Sequence, residues 1–322
     1  MSMRRRQPFV TESYYLKSID FYDSTEARWA NEKFQADSEE EERSARFEYF
    51  KTAALKGLLL SYSAGEAIDD LVIRLERLVR CYECYQNASA IEEGEPHISP
   101  LSIAIWPEEY EECVQVVSFC ILLGKKNLLE RFVRLIDQAG YFGKDSLLED
   151  LLIRVLPNRL DVDGWYHAHY TKLIKSIYAD TKQQSAALLK EYCDEWYASF
   201  DELQATWHNS HLEIDGDDGN YVGYWALEAA AIAYLYDIDD SKITSMVYPQ
   251  DLVTYARNLK IMDNGVRPSR VHSGFPCPYT GFWFSPAKAN SRGYFQRGDV
   301  MPEFKESSWG STIWYWSGDK DE

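Results

Sequence analysis

The chain has 322 residues and a formal net charge of −18, with 45% hydrophobic and 15% aromatic residues. That length suits about two domains with room for a small third, and the aromatic content argues against disorder, because such rings have to be buried or bound. So large a negative excess makes nucleic acid and anionic membranes poor partners and a basic macromolecule the natural complement.

Arg4-Arg5-Arg6 carries positive charge with no apolar segment behind it, so it does not read as a signal peptide. Against the charge of the whole chain it reads as a frayed terminus and not a nucleic-acid arm. Ser38-Glu39-Glu40-Glu41 has the form of a capping box opening a helix, with acidic residues suited to the helix dipole. Ile68, Leu71, Val72, Leu75, Leu78, Val79 and Tyr82 recur at steps of three and four and predict an amphipathic helix. Cys81 and Cys84 share a face of that helix as half of a zinc site, but no second C-x-x-C or paired histidine motif completes it. With Cys113, Cys120, Cys193 and Cys277 they are too sparse for a disulfide scaffold and fit a reducing cytoplasm.

Glu108, Glu109, Glu111 and Glu112 form an acidic run ahead of the longest apolar stretch, Val116 to Leu123, which falls far short of the roughly 20 residues of a membrane span. Leu128, Leu129, Phe132, Val133 and Ile136 form a further helical stripe ending near Gly140. The weakly periodic stretch Pro157 to His169 reads as a link between two helical lobes. Thr181-Lys182-Gln183-Gln184 is a second capping box. It opens a helix whose stripe is Leu188, Leu189, Tyr192, Cys193, Trp196, Phe200 and Leu203.

His208 and His211 lie beside Trp207, and His167 and His169 beside Trp165. No G-x-S-x-G or H-E-x-x-H accompanies either pair, so loop hydrogen bonding is the default over catalysis. Glu213-Ile214-Asp215-Gly216-Asp217-Asp218-Gly219 is the densest acidic loop. Loop position twelve counted from Asp215 is Ala226, not the bidentate glutamate of a calcium site. Two readings stay open: a solvated turn, or an acidic finger (Asp215, Asp217, Asp218) aimed at a cationic partner. Trp225 to Tyr236 is alanine-rich, as a central helix approached closely by its neighbours would be.

From Asp263 on, seven positive residues balance seven negative ones, so the net −18 lies on residues 1–262. Helical periodicity stops there, and a boundary is expected at Asp263-Asn264-Gly265. Beyond it Gly281–Phe284, Gly293–Gln296 and Ser311–Trp316 read as short strands, while Pro276, Pro278, Pro286 and Pro302 exclude helix. So short a segment has little core of its own and is expected to pack onto the helical body. The expected architecture is mainly α: a multi-helix bundle in two lobes, 1–160 and 161–262, with a small aromatic-rich β segment at 263–322.

Tyr221-Val222-Gly223-Tyr224-Trp225-Ala226-Leu227-Glu228, with Tyr248-Pro249-Gln250-Asp251-Leu252-Val253 downstream and Ser61-Tyr62-Ser63-Ala64-Gly65-Glu66 upstream, resembles the helical PoNi-type immunity proteins of bacterial polymorphic toxin systems. The resemblance spans much of residues 10–260. The tail departs from it: Cys277–Trp283, Gly298–Pro302 and Trp309–Trp314 look like a segment of other toxin-immunity families. The resemblance implies a non-enzymatic cytoplasmic inhibitor, without metal or cofactor, that binds one toxin delivered by a neighbouring cell, often by type VI secretion, and blocks its active site. It implies structural roles within the motif: Gly223 for close approach, Tyr224 beside it, Trp225 filling core, Glu228 pairing with a buried donor.

The charge agrees. A nuclease toxin carries a basic groove for phosphate, which an acidic body can fill, and opposed charge speeds encounter. The expected contacts are Asp215, Asp217 and Asp218, with Glu108, Glu109, Glu111 and Glu112 as a second patch. The alternatives are a metal-dependent hydrolase using His208, His211 and the acidic loop, or a helical adaptor binding a peptide or glycan through the aromatic tail. Nothing in the pattern selects monomer or dimer.

Overall fold

A computed structural model describes residues 5–263, 270–278, 280–288, 291–304 and 312–318. The chain divides into two units, Met1–Ala256 and Arg257–Glu322. The expected boundary residues Asn264 and Gly265, and the Trp309–Ser311 part of the tail motif, lie outside the described residues.

The first unit is helical: α1 (Glu12–Trp29), α2 (Glu39–Ala64), α3 (Leu71–Glu93), α4 (Pro107–Leu122), α5 (Lys126–Ile136), α6 (Ser146–Ile153), α7 (Thr171–Ile177), α8 (Lys182–Glu202) and α9 (Leu227–Leu235). The division falls within α10 (Gln250–Asp263). Local chemistry sets the ends. Ser38 caps α2 by accepting the Glu41 N–H at 3.0 Å, and Thr181 caps α8 by accepting that of Gln184 at 3.1 Å. Gly65 closes α2 in the left-handed region, its N–H turned back to the carbonyls of Ser61 and Tyr62. Past α5 the chain widens into a π-helical turn at Asp137–Tyr141 and kinks at Gly140, which takes φ of 91°.

Helix α9 packs against α4, α6, α7 and α8. Every residue from Leu227 to Ala233 is buried, so the helix is enclosed on all sides, and its alanines let four neighbours approach. One continuous core runs from Val10 to Ala256. The stretches 1–160 and 161–262 share that core, and the Pro157–His169 segment is no free linker. Buried Arg159 joins Asp137 at 2.6 Å and Glu149 at 2.6 Å, and the Ser146 N–H donates to the Gly164 carbonyl at 2.7 Å. These contacts fix the segment within the first unit.

The second unit carries an antiparallel sheet of β1 (Arg270–His272), β2 (Gly281–Phe284), β3 (Gly293–Phe295) and β4 (Ile313–Gly318), in the order β1-β4-β2-β3. Val271 pairs with Trp314, Phe282 with Tyr294 and Trp283 with Trp316, with a register shift between Phe282 and Trp283. Despite its size this unit holds a cluster of its own: Cys277, Trp283, Met301 and Trp314 are buried together, and the Trp314 indole donates to the Pro302 carbonyl at 2.8 Å. Strand β1 carries no signal in the sequence, because Arg270-Val271-His272 holds a single apolar residue and no aromatic pair like that of β3.

Candidate functional site

The three motif segments, remote in sequence, meet in one place. The end of α2 (Ser61–Glu66) lies against the extended stretch Tyr221–Ala226 that leads into α9, and against the first turn of α10. Ser63 Oγ donates to the Val222 carbonyl at 2.6 Å and accepts the Trp225 indole N–H at 2.8 Å. The Tyr62 hydroxyl donates to Asp251 at 2.6 Å. Gly223 sits at φ of +111°, and a Cβ there would lie 2.0 Å from Ser63 Oγ and 2.6 Å from Trp225 Nε1. Only glycine fits that backbone and that gap.

Arg6 and Gln7 complete the clasp. The Arg6 guanidinium donates to the carbonyls of Tyr62 at 2.8 Å and Glu66 at 2.9 Å, pairs with Asp251, and lies 4.6 Å from the Tyr62 ring centre. Gln7 is fully buried. Its amide donates to the carbonyls of Tyr224 and Met246, each at 3.0 Å, and accepts the Tyr221 hydroxyl at 2.6 Å. The expectation of a frayed terminus is therefore corrected at Arg6: a forked cation with carbonyl and carboxylate partners is held in place. Sequence reasoning missed both residues, because their partners lie up to 245 positions away.

A second polar knot is buried between α4, α8 and α9. Glu228 accepts the Tyr192 hydroxyl at 2.7 Å and the Trp196 indole at 2.9 Å through one oxygen. Its other oxygen, Oε2, has no partner among the described residues. Burial raises its pKa from 4.5 to about 7. Glu111 accepts the Trp207 indole and the Gln115 amide, each at 2.8 Å, and burial with the nearby Glu228 charge pushes its carboxyl well above the usual range.

Glu111 thus faces the interior, which corrects its assignment to a surface patch. The rest of that run is also turned inward or tied down. Glu108 accepts the Thr206 N–H, Glu109 accepts the Ser102 N–H at 2.5 Å, and Glu112 accepts the Tyr82 hydroxyl and pairs with buried Lys51 at 3.0 Å. Five consecutive positions span more than one helical turn, so a contiguous acidic run at the start of α4 points its carboxylates in different directions.

The acidic loop is exposed from Asp215 to Asp218. Asp215 and Asp218 exchange backbone hydrogen bonds of 2.9 and 3.0 Å around Gly216 and Asp217, forming a tight turn with Gly216 at φ of 64°. Lys17 of α1 reaches Asp217 at 3.1 Å and Asp218 at 2.7 Å. His208 and His211 do not join the loop. His208 stacks on Tyr197 with Nδ1 3.3 Å from Asp201, and His211 Nδ1 meets the Tyr224 hydroxyl at 2.8 Å. Cys81 is buried near Glu26 and Cys84 half-buried, and among the described residues no group of three metal-ligating side chains occurs. No helix among them is long and apolar enough to cross a membrane.

Residues 6–134 match the model for the N-terminal part of PoNe immunity proteins (PoNi), and residues 143–252 match the model for their C-terminal part. The chain belongs to the PoNi family. As a PoNi protein it is an immunity protein directed at a toxin. No curated protein matches it. Among solved structures it is similar to the crystal structure of protein PA2201 from Pseudomonas aeruginosa, at 19% identity over 81% of this chain and 93% of that one, with a TM-score of 0.60. That likeness is one of fold. The two matched PoNi segments are the partners of the clasp: Arg6, Gln7 and Ser61–Glu66 come from the first, Tyr221–Trp225 and Asp251 from the second.

Proposed function

We propose that this immunity protein acts in the cytoplasm by binding alone, seating an acidic surface in the basic cleft of a cognate nuclease toxin and so occluding its active site. Type VI secretion from a neighbouring cell is the delivery route the reading assumes. The observation that carries it is the net charge of −18, all of it on residues 1–262. A nuclease groove is built to hold phosphates, and a folded anionic surface offers the same charge without the substrate. The loop Asp215–Asp218 is the contact proposed at sequence level that the fold leaves in solvent: three exposed carboxylates, with one lysine shared by two of them. Glu108, Glu109 and Glu112 play a lesser part, since each is engaged within the fold. Immunity demands affinity on the order of nanomolar or tighter, about −12 kcal/mol.

The test is co-purification with the toxin encoded beside it, at low and at high ionic strength. A complex that forms faster at low salt and persists at high salt is expected, because screening slows encounter more than it weakens a packed interface. Absence of a complex at any ionic strength rejects the proposal.

A further inference from the structure

Away from the clasp and the acidic loop, the segment Ser99–Ser102 and the turn residues Gln138–Tyr141 line an open groove of about 680 Å³. Glu95, His97, Ser102, Glu109 and Gln138 are among its lining residues, and no lysine or arginine is. Its fixed charges are therefore of one sign. The chain kinks at that turn, with Gly140 in the left-handed region at φ of 91°.

The rim is more informative. The carbonyl of Ser102, a lining residue, accepts the N–H groups of Ile105 at 2.9 Å and Trp106 at 3.0 Å, which sets both residues next to the groove's wall. Ile105 is 66% exposed and Trp106 59%. Trp106 also occupies the N-cap position of α4, where it makes no side-chain cap bond. Serine, threonine, aspartate or asparagine would satisfy a free N–H of the first turn there. An indole left mostly in solvent at this position supplies no cap bond, and tryptophan is among the residue types most enriched at the energetic centres of protein interfaces.

We propose that this groove, with Trp106 beside it, receives an extended basic segment of the cognate toxin: lysine or arginine side chains entering toward exposed Glu95, with Trp106 packed on the segment's apolar or guanidinium face. This rests on the immunity reading and names a second contact for it, distinct from the loop Asp215–Asp218.

The experiment measures binding of the catalytically inactivated toxin encoded beside this chain to the full-length protein and to three variants. Trp106→Ala and Glu95→Arg change exposed side chains, and unaltered melting confirms that each folds. Ile73→Ala removes an equally exposed side chain from α3, outside the groove. The expected result is a loss of roughly 30-fold or more for each groove variant and a change within about 2-fold for Ile73→Ala. Tight wild-type binding that both groove variants retain overturns the groove and leaves the immunity reading standing. A wild type that does not bind the toxin overturns the immunity reading itself. A self-associated wild type that Trp106→Ala dissociates without loss of toxin affinity overturns the proposal in favour of a second copy of this chain.

Discussion

Replacing Gly223 with alanine puts the clasp under direct strain. The new Cβ would stand 2.0 Å from Ser63 Oγ and 2.6 Å from Trp225 Nε1, on a backbone at φ of +111°. Holding a non-glycine residue in such a conformation costs about 1–3 kcal/mol. Relieving the contact means moving Ser63 Oγ, which donates to the Val222 carbonyl and accepts from the Trp225 indole. Each lost hydrogen bond costs about 1 kcal/mol, so the total is about 3–5 kcal/mol. Folded domains are stable by about 5–15 kcal/mol, so the loss is a large share of the whole. Urea unfolding reads it as a lower midpoint with an unchanged slope. Ser63→Gly in the same chain removes the clashing oxygen but not the backbone strain, so the double variant recovers part of the loss and the two changes are non-additive. A loss below about 0.5 kcal/mol, the range of an ordinary surface change, or strict additivity of the two substitutions, refutes the close-approach argument.

Arg6→Ala leaves the carbonyls of Tyr62 and Glu66 and the Asp251 carboxylate without their donor. It lowers stability by about 1–3 kcal/mol, held down because Asp251 is partly solvated, and Arg6→Lys recovers little because an ammonium cannot supply the fork. Thermal melting of the three proteins checks the order. Glu228→Gln alters the pH dependence. Folding raises this carboxyl from 4.5 to about 7, so the folded chain binds the proton more tightly than the unfolded one. The stability it confers is complete below about pH 4.5 and is lost as pH rises through 7, a swing of roughly 3 kcal/mol. The variant flattens the urea midpoint against pH across that window. A wild-type midpoint that climbs from pH 5 to 7.5, with the variant following in parallel, contradicts the assignment. Glu111 shifts in the same direction and keeps some slope in the variant.

Helices were legible wherever one face is apolar. The stripe Leu128–Ile136 became α5, the capping boxes at Ser38 and Thr181 start α2 and α8, and the alanine-rich segment became the enclosed α9. Stripe ends were less so: Leu203 follows the pattern of α8 yet is exposed, because the helix has reached its C-cap there. The acidic run misled because charge type says nothing of direction. The phase did carry the signal: Glu111, Gln115 and Ser118 recur at i, i+4 and i+7 among buried apolar residues, which places Glu111 on the inner face. Arg6 and Gln7 could not be found this way, since a polar pair near a terminus has no period and its partners are set by the tertiary fold. Trp106 is the reverse case. Nothing in the sequence singles it out, and only the folded chain shows it mostly in solvent.

The central claim is that this chain silences its toxin by physical occlusion. Titrating the purified protein into the active toxin encoded beside it, with cleavage of nucleic acid as the readout, tests it most directly. The account predicts activity falling linearly to zero at one equivalent, with the toxin recovered intact when the complex is dissociated. Full toxin activity in the presence of excess protein, or inactivation that persists after the protein is removed, would contradict it.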